Sequence, residues 1–326
     1  MKPLILSNEK NIFEVLRLRK DLKGSLELNN FPYSVSVYDE TYSVAHFVTV
    51  DDFKKYKNET PKGTKFVLSL LYCEEDYDGK VLKLNHEKNN IISKFDVDVI
   101  NKADLVLTPT IKTKQQLILS GVTTPIEVLL PGINVSKYSI KNTYIRNIAY
   151  RYLKCSEEYS FVTTVLNYED VEAFRRIQNI ASKFPKIKFI AIADNRNMSR
   201  EIKKIIKKIP SNLQFPSVLD EDVYISLIFN SKAYLFINSN PGNILQCFEA
   251  MASGTQILAL NSGIYPDIVI DKENGYVYNN FDSLIDGFNK FINNELNPTI
   301  QKAKEFANVN ALKNIGEKLI EIYRGL

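Results

Sequence analysis

The chain has 326 residues with no tryptophan, two histidines (His46 and His86) and three cysteines (Cys73, Cys155 and Cys247). Three widely spaced cysteines with no CxxC pair exclude a disulfide framework and a thiolate zinc site. Two histidines exclude a histidine-rich metal centre, and they leave no Ser-His-Asp or Cys-His constellation legible. No apolar run is long enough to span a bilayer, and Met1 to Ser7 is too short for a signal peptide. A reduced, cytosolic protein is therefore expected. Neither sign of charge dominates: 42 Lys and Arg against 38 Asp and Glu leave a net charge of +4. That balance permits contact with phosphates or an anionic membrane surface and gives no reason to expect nucleic acid as a partner. Tandem repeats and low-complexity tracts are also missing.

Apolar and charged fractions of 44% and 25% are those of a soluble globular protein, and the length fits two domains of ordinary size. Short β-rich runs alternate with amphipathic helical stretches. That is the pattern of a parallel sheet covered by helices on both faces. In the first half, strands are expected at 3–7, 33–38, 43–50, 65–72, 104–109 and 126–129, with helices at 12–22, 53–56, 91–102 and 111–120. After Pro131-Gly132 the alternation breaks, then restarts with strands at 160–166, 188–193, 213–215, 233–237 and 256–259. Helices are expected at 171–184, 199–209 and 222–230, near Pro241 and around Asp267, followed by a wholly helical tail from Phe281. The implied division is a first domain over 1–134, a linker over 135–157, a second domain over 158–308 and a C-terminal helix over 309–326 that packs back on the first domain. Two doubly wound halves would hold a ligand in a cleft at the carboxyl ends of their sheets.

The most informative stretch is 238–254, where a strand ends in Asn238-Ser239-Asn240-Pro241-Gly242 and a helix follows. A helix N-terminus offers free N–H groups and a partial positive charge, which suits a diphosphate. Glu249, about two turns along, could take the two hydroxyls of a ribose. Pro and Gly at a helix entry also have a purely structural explanation.

Three stretches resemble the GT-B glycosyltransferases of family 4 and, more narrowly, bacterial enzymes that add a sugar to diacylglycerol or to a monoglycosyl-diacylglycerol. They are Ala103-Asp104-Leu105-Val106-Leu107-Thr108-Pro109-Thr110 continuing to Pro131-Gly132-Ile133-Asn134, Phe248-Glu249-Ala250-Met251-Ala252-Ser253-Gly254 with Gln256-Ile257-Leu258-Ala259, and Asp267 to Tyr276. Val44 to Phe47 and Cys73 to Tyr77 are weaker matches. The resemblance implies an α/β protein of GT-B type, two Rossmann-like doubly wound domains facing across a cleft. It implies a retaining hexosyl transfer from a nucleotide-sugar donor, of the UDP-hexose kind, with no cofactor and no metal.

Four features depart from that family's pattern. Ser7-Asn8-Glu9-Lys10-Asn11 replaces a glycine-rich turn. Thr163 to Asp170 lacks the Arg and Lys that clamp the diphosphate. Pro241 stands eight residues before Glu249, where the family has a second glutamate. Ser69-Leu70-Leu71-Tyr72 lacks a histidine. GT-B enzymes neutralise the departing diphosphate with such cations, and losing both costs about 5 kcal/mol of transition-state stabilisation, some thousandfold in rate.

The donor-contact residues implied by the resemblance are Gly242, Asn243, Ile244 and Glu249. On the acceptor side the candidates are His46, Glu75 and Asp76. His46 in an apolar strand also fits a satisfied core residue, and Glu75-Asp76 a solvated loop. Arg17, Arg19, Lys20 and Lys23 on the first helix form the candidate membrane contact. A second basic face, Lys203, Lys204, Lys207 and Lys208, lies opposite Ile202, Ile205, Ile206 and Ile209, which fit a sheet-covering face. The expected function is transfer of a hexose to a lipid acceptor at the cytosolic membrane face, peripheral to the membrane. The alternative is a catalytically silent relative that partners or stabilises a paralogous active glycosyltransferase.

Overall fold

A computed structural model describes residues 1–6, 13–39, 41–70, 94–138, 143–155, 160–167, 170–193, 198–216, 219–239 and 244–326. The chain divides into two units, Met1–Asn134 with Val309–Leu326, and Val135–Asn308.

In the first unit the order is β1 (Pro3–Leu4), α1 (Phe13–Glu27), β2 (Val44–Phe47), α2 (Val50–Tyr56), β3 (Lys65–Ser69), α3 (Lys94–Ile100), β4 (Leu105–Thr108), α4 (Ile111–Leu119) and β5 (Ile126–Val128). The five strands pair in parallel in the order β1-β2-β3-β4-β5. All residues of β2 and β4 are buried, as expected of strands covered on both faces. The expected strand at 33–38 is reduced to a single bridge, Leu4 to Ser34, beside Pro32, which has no N–H to give a ladder. Thr49 and Thr110 cap α2 and α4 by accepting the backbone N–H of Asp52 and Thr113.

The second unit runs α5 (Thr143–Leu153), β6 (Phe161–Val165), α6 (Val171–Lys183), β7 (Lys188–Ile192), α7 (Arg200–Ile206), β8 (Leu213–Gln214), α8 (Glu221–Asn230), β9 (Ala233–Phe236), α9 (Leu245–Ser253), β10 (Gln256–Leu260), α10 (Tyr265–Ile268), β11 (Tyr276–Tyr278), α11 (Phe281–Ile292) and α12 (Ile300–Val309). Its six strands are parallel in the order β11-β10-β9-β6-β7-β8. The chain-order switch therefore lies between β6 and β9, where an open sheet leaves room at the strands' carboxyl ends. Gly254 ends α9 with φ 74°, a left-handed cap that glycine adopts without Cβ strain. Ile202 is buried, and Ile205, Ile206 and Ile209 pack on the core beneath, leaving Lys203, Lys204, Lys207 and Lys208 exposed.

Residues 135–157 are not a plain linker. They carry a 3₁₀ turn, Val135–Tyr138, and the helix α5, and they lie in the second unit. The Ala149 amide of α5 donates to Ser226 Oγ of α8 at 2.8 Å, and Ala149 and Leu153 join a core cluster with Phe161 and Leu227. The helical tail is broken between α11 and α12. A further helix, α13 (Leu312–Gly325), returns the chain to the first unit and lies along α1. At their closest approach a Cβ on Gly316 would stand 2.2 Å from the Ser25 carbonyl oxygen, so only glycine fits. The sequence pattern also missed β11, whose Tyr276-Val277-Tyr278 pairs with β10.

Candidate active site of the second unit

Glu249 lies on α9, among Cys247, Phe248, Ala250 and Met251, all with no accessible surface. The Glu249 side chain is itself fully enclosed. An enclosed carboxylate requires hydrogen-bond donors, because its desolvation is otherwise too costly. Two phenols meet that need. Tyr138 Oη, from the 3₁₀ turn, donates to Oε1 at 2.7 Å, and Tyr224 Oη, from α8, donates to Oε2 at 2.5 Å. Tyr138 is buried, while Tyr224 is half-buried with its hydroxyl directed inward. The exposed pair Lys137 to Glu221, 2.7 Å, ties the same turn to the same helix. Burial first, then the charge of Glu249, raises the pKa of Tyr224 well above the ordinary phenol value. The Tyr234 phenol on β9 is shifted the same way by the same two causes.

The carboxyl ends of β6 and β9 are stitched together by side chains. Asn238 accepts the Asn167 N–H at 3.1 Å through Oδ1 and donates from Nδ2 to the Val165 carbonyl at 2.9 Å. Ser262 Oγ donates to the Ser239 carbonyl at 2.6 Å. Asp170 has two tasks here. Its Oδ1 caps α6 by accepting the Ala173 N–H at 3.0 Å, and its Oδ2 accepts the Ser239 N–H at 2.5 Å. Ser239 Oγ donates to Oδ1 at 3.2 Å. Beside it, Arg176 of α6 donates from one guanidinium nitrogen to the Ile237 carbonyl at 2.8 Å and to Ser239 Oγ at 3.2 Å. A cation therefore does reach the end of β9, delivered by a helix rather than by the strand end where the sequence lacked one.

The predicted donor residues fall as follows. Glu249 is in this cluster. Ile244 is buried directly before α9. Gly242 and Asn243 lie outside the described residues, as do Glu75, Asp76 and the Ser7 to Asn11 turn. Tyr138, Tyr224 and Arg176 were not singled out from the sequence. The usable signal was the run of apolar neighbours on both sides of Glu249, which marks a buried acid and hence a search for donors.

His46 is a core residue of the first unit. Its Nδ1 is 2.6 Å from Tyr323 Oη on α13 and its Nε2 is 2.7 Å from Ser69 Oγ on β3. Burial pushes its pKa down to about 3, so the ring is neutral. A cavity of about 40 Å³ lies against Ser69, lined by Leu18, Leu22, Leu107, Leu129 and Leu319 among others. Of the candidate membrane residues, Arg19 is a correction. It is buried and paired with the Asp52 carboxylate of α2, so it braces the fold and cannot touch a surface. Lys20 is exposed, whereas Arg17 and Lys23 are half-buried. Among the described residues no helix is long and apolar enough to cross a membrane, and no cluster of His, Cys, Asp and Glu could hold a metal ion.

The profile of the family described as Glycosyl transferases group 1 matches residues 169–310, which take in α6 to α12 with Glu249. No protein of curated function matches the sequence. Among solved structures, Alr3699/HepE of Anabaena in complex with UDP and glucose is similar over 100% of both chains, with a TM-score of 0.78 and 14% identity. Sucrose-phosphate synthase of Thermosynechococcus elongatus is similar over 87% of this chain and 73% of its own, with a TM-score of 0.69 and 13% identity. A glycosyltransferase of Rickettsia africae is similar over 98% and 83%, with a TM-score of 0.67 and 15% identity. The chain thus has the α/β fold of the GT-B glycosyltransferases, with two parallel sheets, and most of its second unit matches the glycosyl transferases of group 1.

Proposed function

We propose that the protein is a glycosyltransferase that moves a hexose from a nucleotide sugar of the UDP-hexose kind to a lipid acceptor, diacylglycerol or a glycolipid, with retention at the anomeric carbon. The observation that carries this reading is the match of the group 1 profile across α9, which carries Glu249, on a fold similar over the full length to a solved structure with UDP bound. The donor diphosphate would be held by the amides of Gly242, Asn243 and Ile244, and the ribose by Glu249. Arg176, which contacts Ser239 after β9 and pairs with Glu172 at 3.7 Å, would be the cation nearest the diphosphate. The lipid acceptor is supported by the resemblance alone; the cavity of about 40 Å³ in the first unit has room for about one water and not for an acyl chain. Exposed Lys20 would favour the anionic cytosolic face of a membrane, where the protein would dock without inserting.

A second reading is favoured by one specific observation: both oxygens of Glu249 are already taken by Tyr138 and Tyr224. On that reading the chain is a silent relative that binds or stabilises an active paralogous glycosyltransferase. A transfer assay separates the two. Purified protein is mixed with a panel of labelled nucleotide hexoses and vesicles containing diacylglycerol. Labelled glycolipid is the expected product. Its absence across the panel, together with co-purification of an intact paralogue, would establish the second reading instead.

A further inference from the structure

We propose that Tyr138, Tyr224 and Asp170 fill the donor site from within, so that a nucleotide sugar binds only by displacing them. The inference rests on the proposed nucleotide-sugar reading and adds to it a gate built from the chain's own side chains. Two independent arrangements carry it.

The first is at Glu249. Two O–H groups reach the two oxygens of one carboxylate, at 2.7 and 2.5 Å. A ribose would offer the same thing, two neighbouring hydroxyl donors to one acceptor group, so phenols and diol compete for the same lone pairs. The carboxylate has no accessible surface and both its oxygens accept from phenols, so a ribose diol would have to replace at least one of those two hydrogen bonds. The two rings arise from separate elements, the turn Val135–Tyr138 and α8. That turn directly follows the point where the chain leaves the first unit.

The second arrangement is at Ser239. Its backbone N–H and its hydroxyl both donate to Asp170, beside the Arg176 guanidinium. An amide, a hydroxyl and a cation grouped at a strand end form the donor set a phosphate oxygen uses. Here an internal carboxylate accepts from the amide and the hydroxyl, with the guanidinium bonded to the same hydroxyl. Asp170 also opposes an incoming diphosphate by charge, so one residue both fills the place and repels the ligand.

The test is calorimetry with UDP, with 2′,3′-dideoxyuridine diphosphate and with inorganic pyrophosphate. It is run on the full chain, on Tyr138→Phe/Tyr224→Phe and on Asp170→Asn. The phenylalanines keep the rings and remove their hold on the carboxylate. UDP is expected to bind the double variant at least about tenfold more tightly than the wild type, with no gain for the dideoxy compound. Asp170→Asn is expected to tighten both UDP and pyrophosphate by a similar factor. If the wild type binds UDP and neither variant gains, the gate is wrong and the transferase reading stands. An equal gain for UDP and the dideoxy compound in the double variant would mean general loosening and would also overturn the gate. If no protein binds UDP, the underlying reading fails with it. Should the double variant not fold, Asp170→Asn and Tyr224→Phe alone decide the matter by the same criteria.

Discussion

Replacing Tyr224 by Phe removes one oxygen from the second unit, and the structure fixes what that should cost. The lost contact is a 2.5 Å hydrogen bond to an enclosed carboxylate. Hydrogen bonds to charged groups contribute about 1.5–3 kcal/mol, and the upper part of that range applies when the remaining partner stays buried. We expect Tyr224→Phe to lose about 2 kcal/mol, and Tyr138→Phe a comparable amount. For a domain of about 150–250 residues each kcal/mol lowers Tm by roughly 2–4 °C, so a single variant should melt about 4–8 °C lower. Because both phenols serve one carboxylate, the two losses should be non-additive by about 0.5 kcal/mol or more. A triple variant, Tyr138→Phe/Tyr224→Phe/Glu249→Met, leaves no buried charge unpaired and should regain most of the loss. Urea unfolding followed by circular dichroism, with denaturant midpoints compared at constant slope, gives all four numbers. A change below about 0.5 kcal/mol in both single variants would refute the reasoning, since it would mean that water or another donor serves Glu249 equally well.

Four further outcomes are expected. His46 has a folded pKa of about 3 against an ordinary value near 6.5, so the unfolded chain binds the extra proton first as pH falls. The first unit should therefore lose stability by up to about 1.4 kcal/mol per pH unit between roughly pH 6 and 3, and pH-dependent urea melts of His46→Leu should show a shallower slope. Gly316→Ala pushes a methyl into the Ser25 carbonyl at the α1 and α13 contact, and chemical denaturation should show a loss of about 1–3 kcal/mol, with no loss if the helices simply part. Sedimentation with anionic vesicles should weaken for Lys20→Glu/Lys23→Glu and stay unchanged when Lys203, Lys204, Lys207 and Lys208 are all replaced by Gln. Arg176→Met should weaken pyrophosphate binding in calorimetry, and an unchanged affinity would confine Arg176 to bracing β9.

How far the sequence carried this differs from element to element. Buried parallel strands such as Leu105 to Leu107 in the first unit and Ile257 to Leu260 in the second announce themselves as short continuous apolar runs, so both sheets were legible. The motif around Glu249 was legible too, because helix, glycine cap and following strand are all local. α5 was hidden because its partner surface is α8, far along the chain, and an aromatic, basic stretch shows that face only once α8 is present. β11 was hidden inside a stretch whose turn residues dominate the pattern, and its pairing is decided by β10. At the site the reason is similar. Nothing local marks Tyr138 or Tyr224 as donors to a residue on another helix, nor Arg176 as a cation for the end of β9. Arg19 shows the converse: a charge on a helix suggests surface when only its own helix is considered, and Asp52, on a different helix, draws it inside.

A crystal structure of the chain grown with UDP tests the central claim most directly. We predict the nucleotide at the carboxyl ends of β6 and β9, its ribose hydroxyls on Glu249, at least one of Tyr138 and Tyr224 turned away, and its phosphates between Ser239 and the start of α9. UDP bound elsewhere, or Glu249 still held by both tyrosines in a nucleotide-saturated crystal, would contradict it.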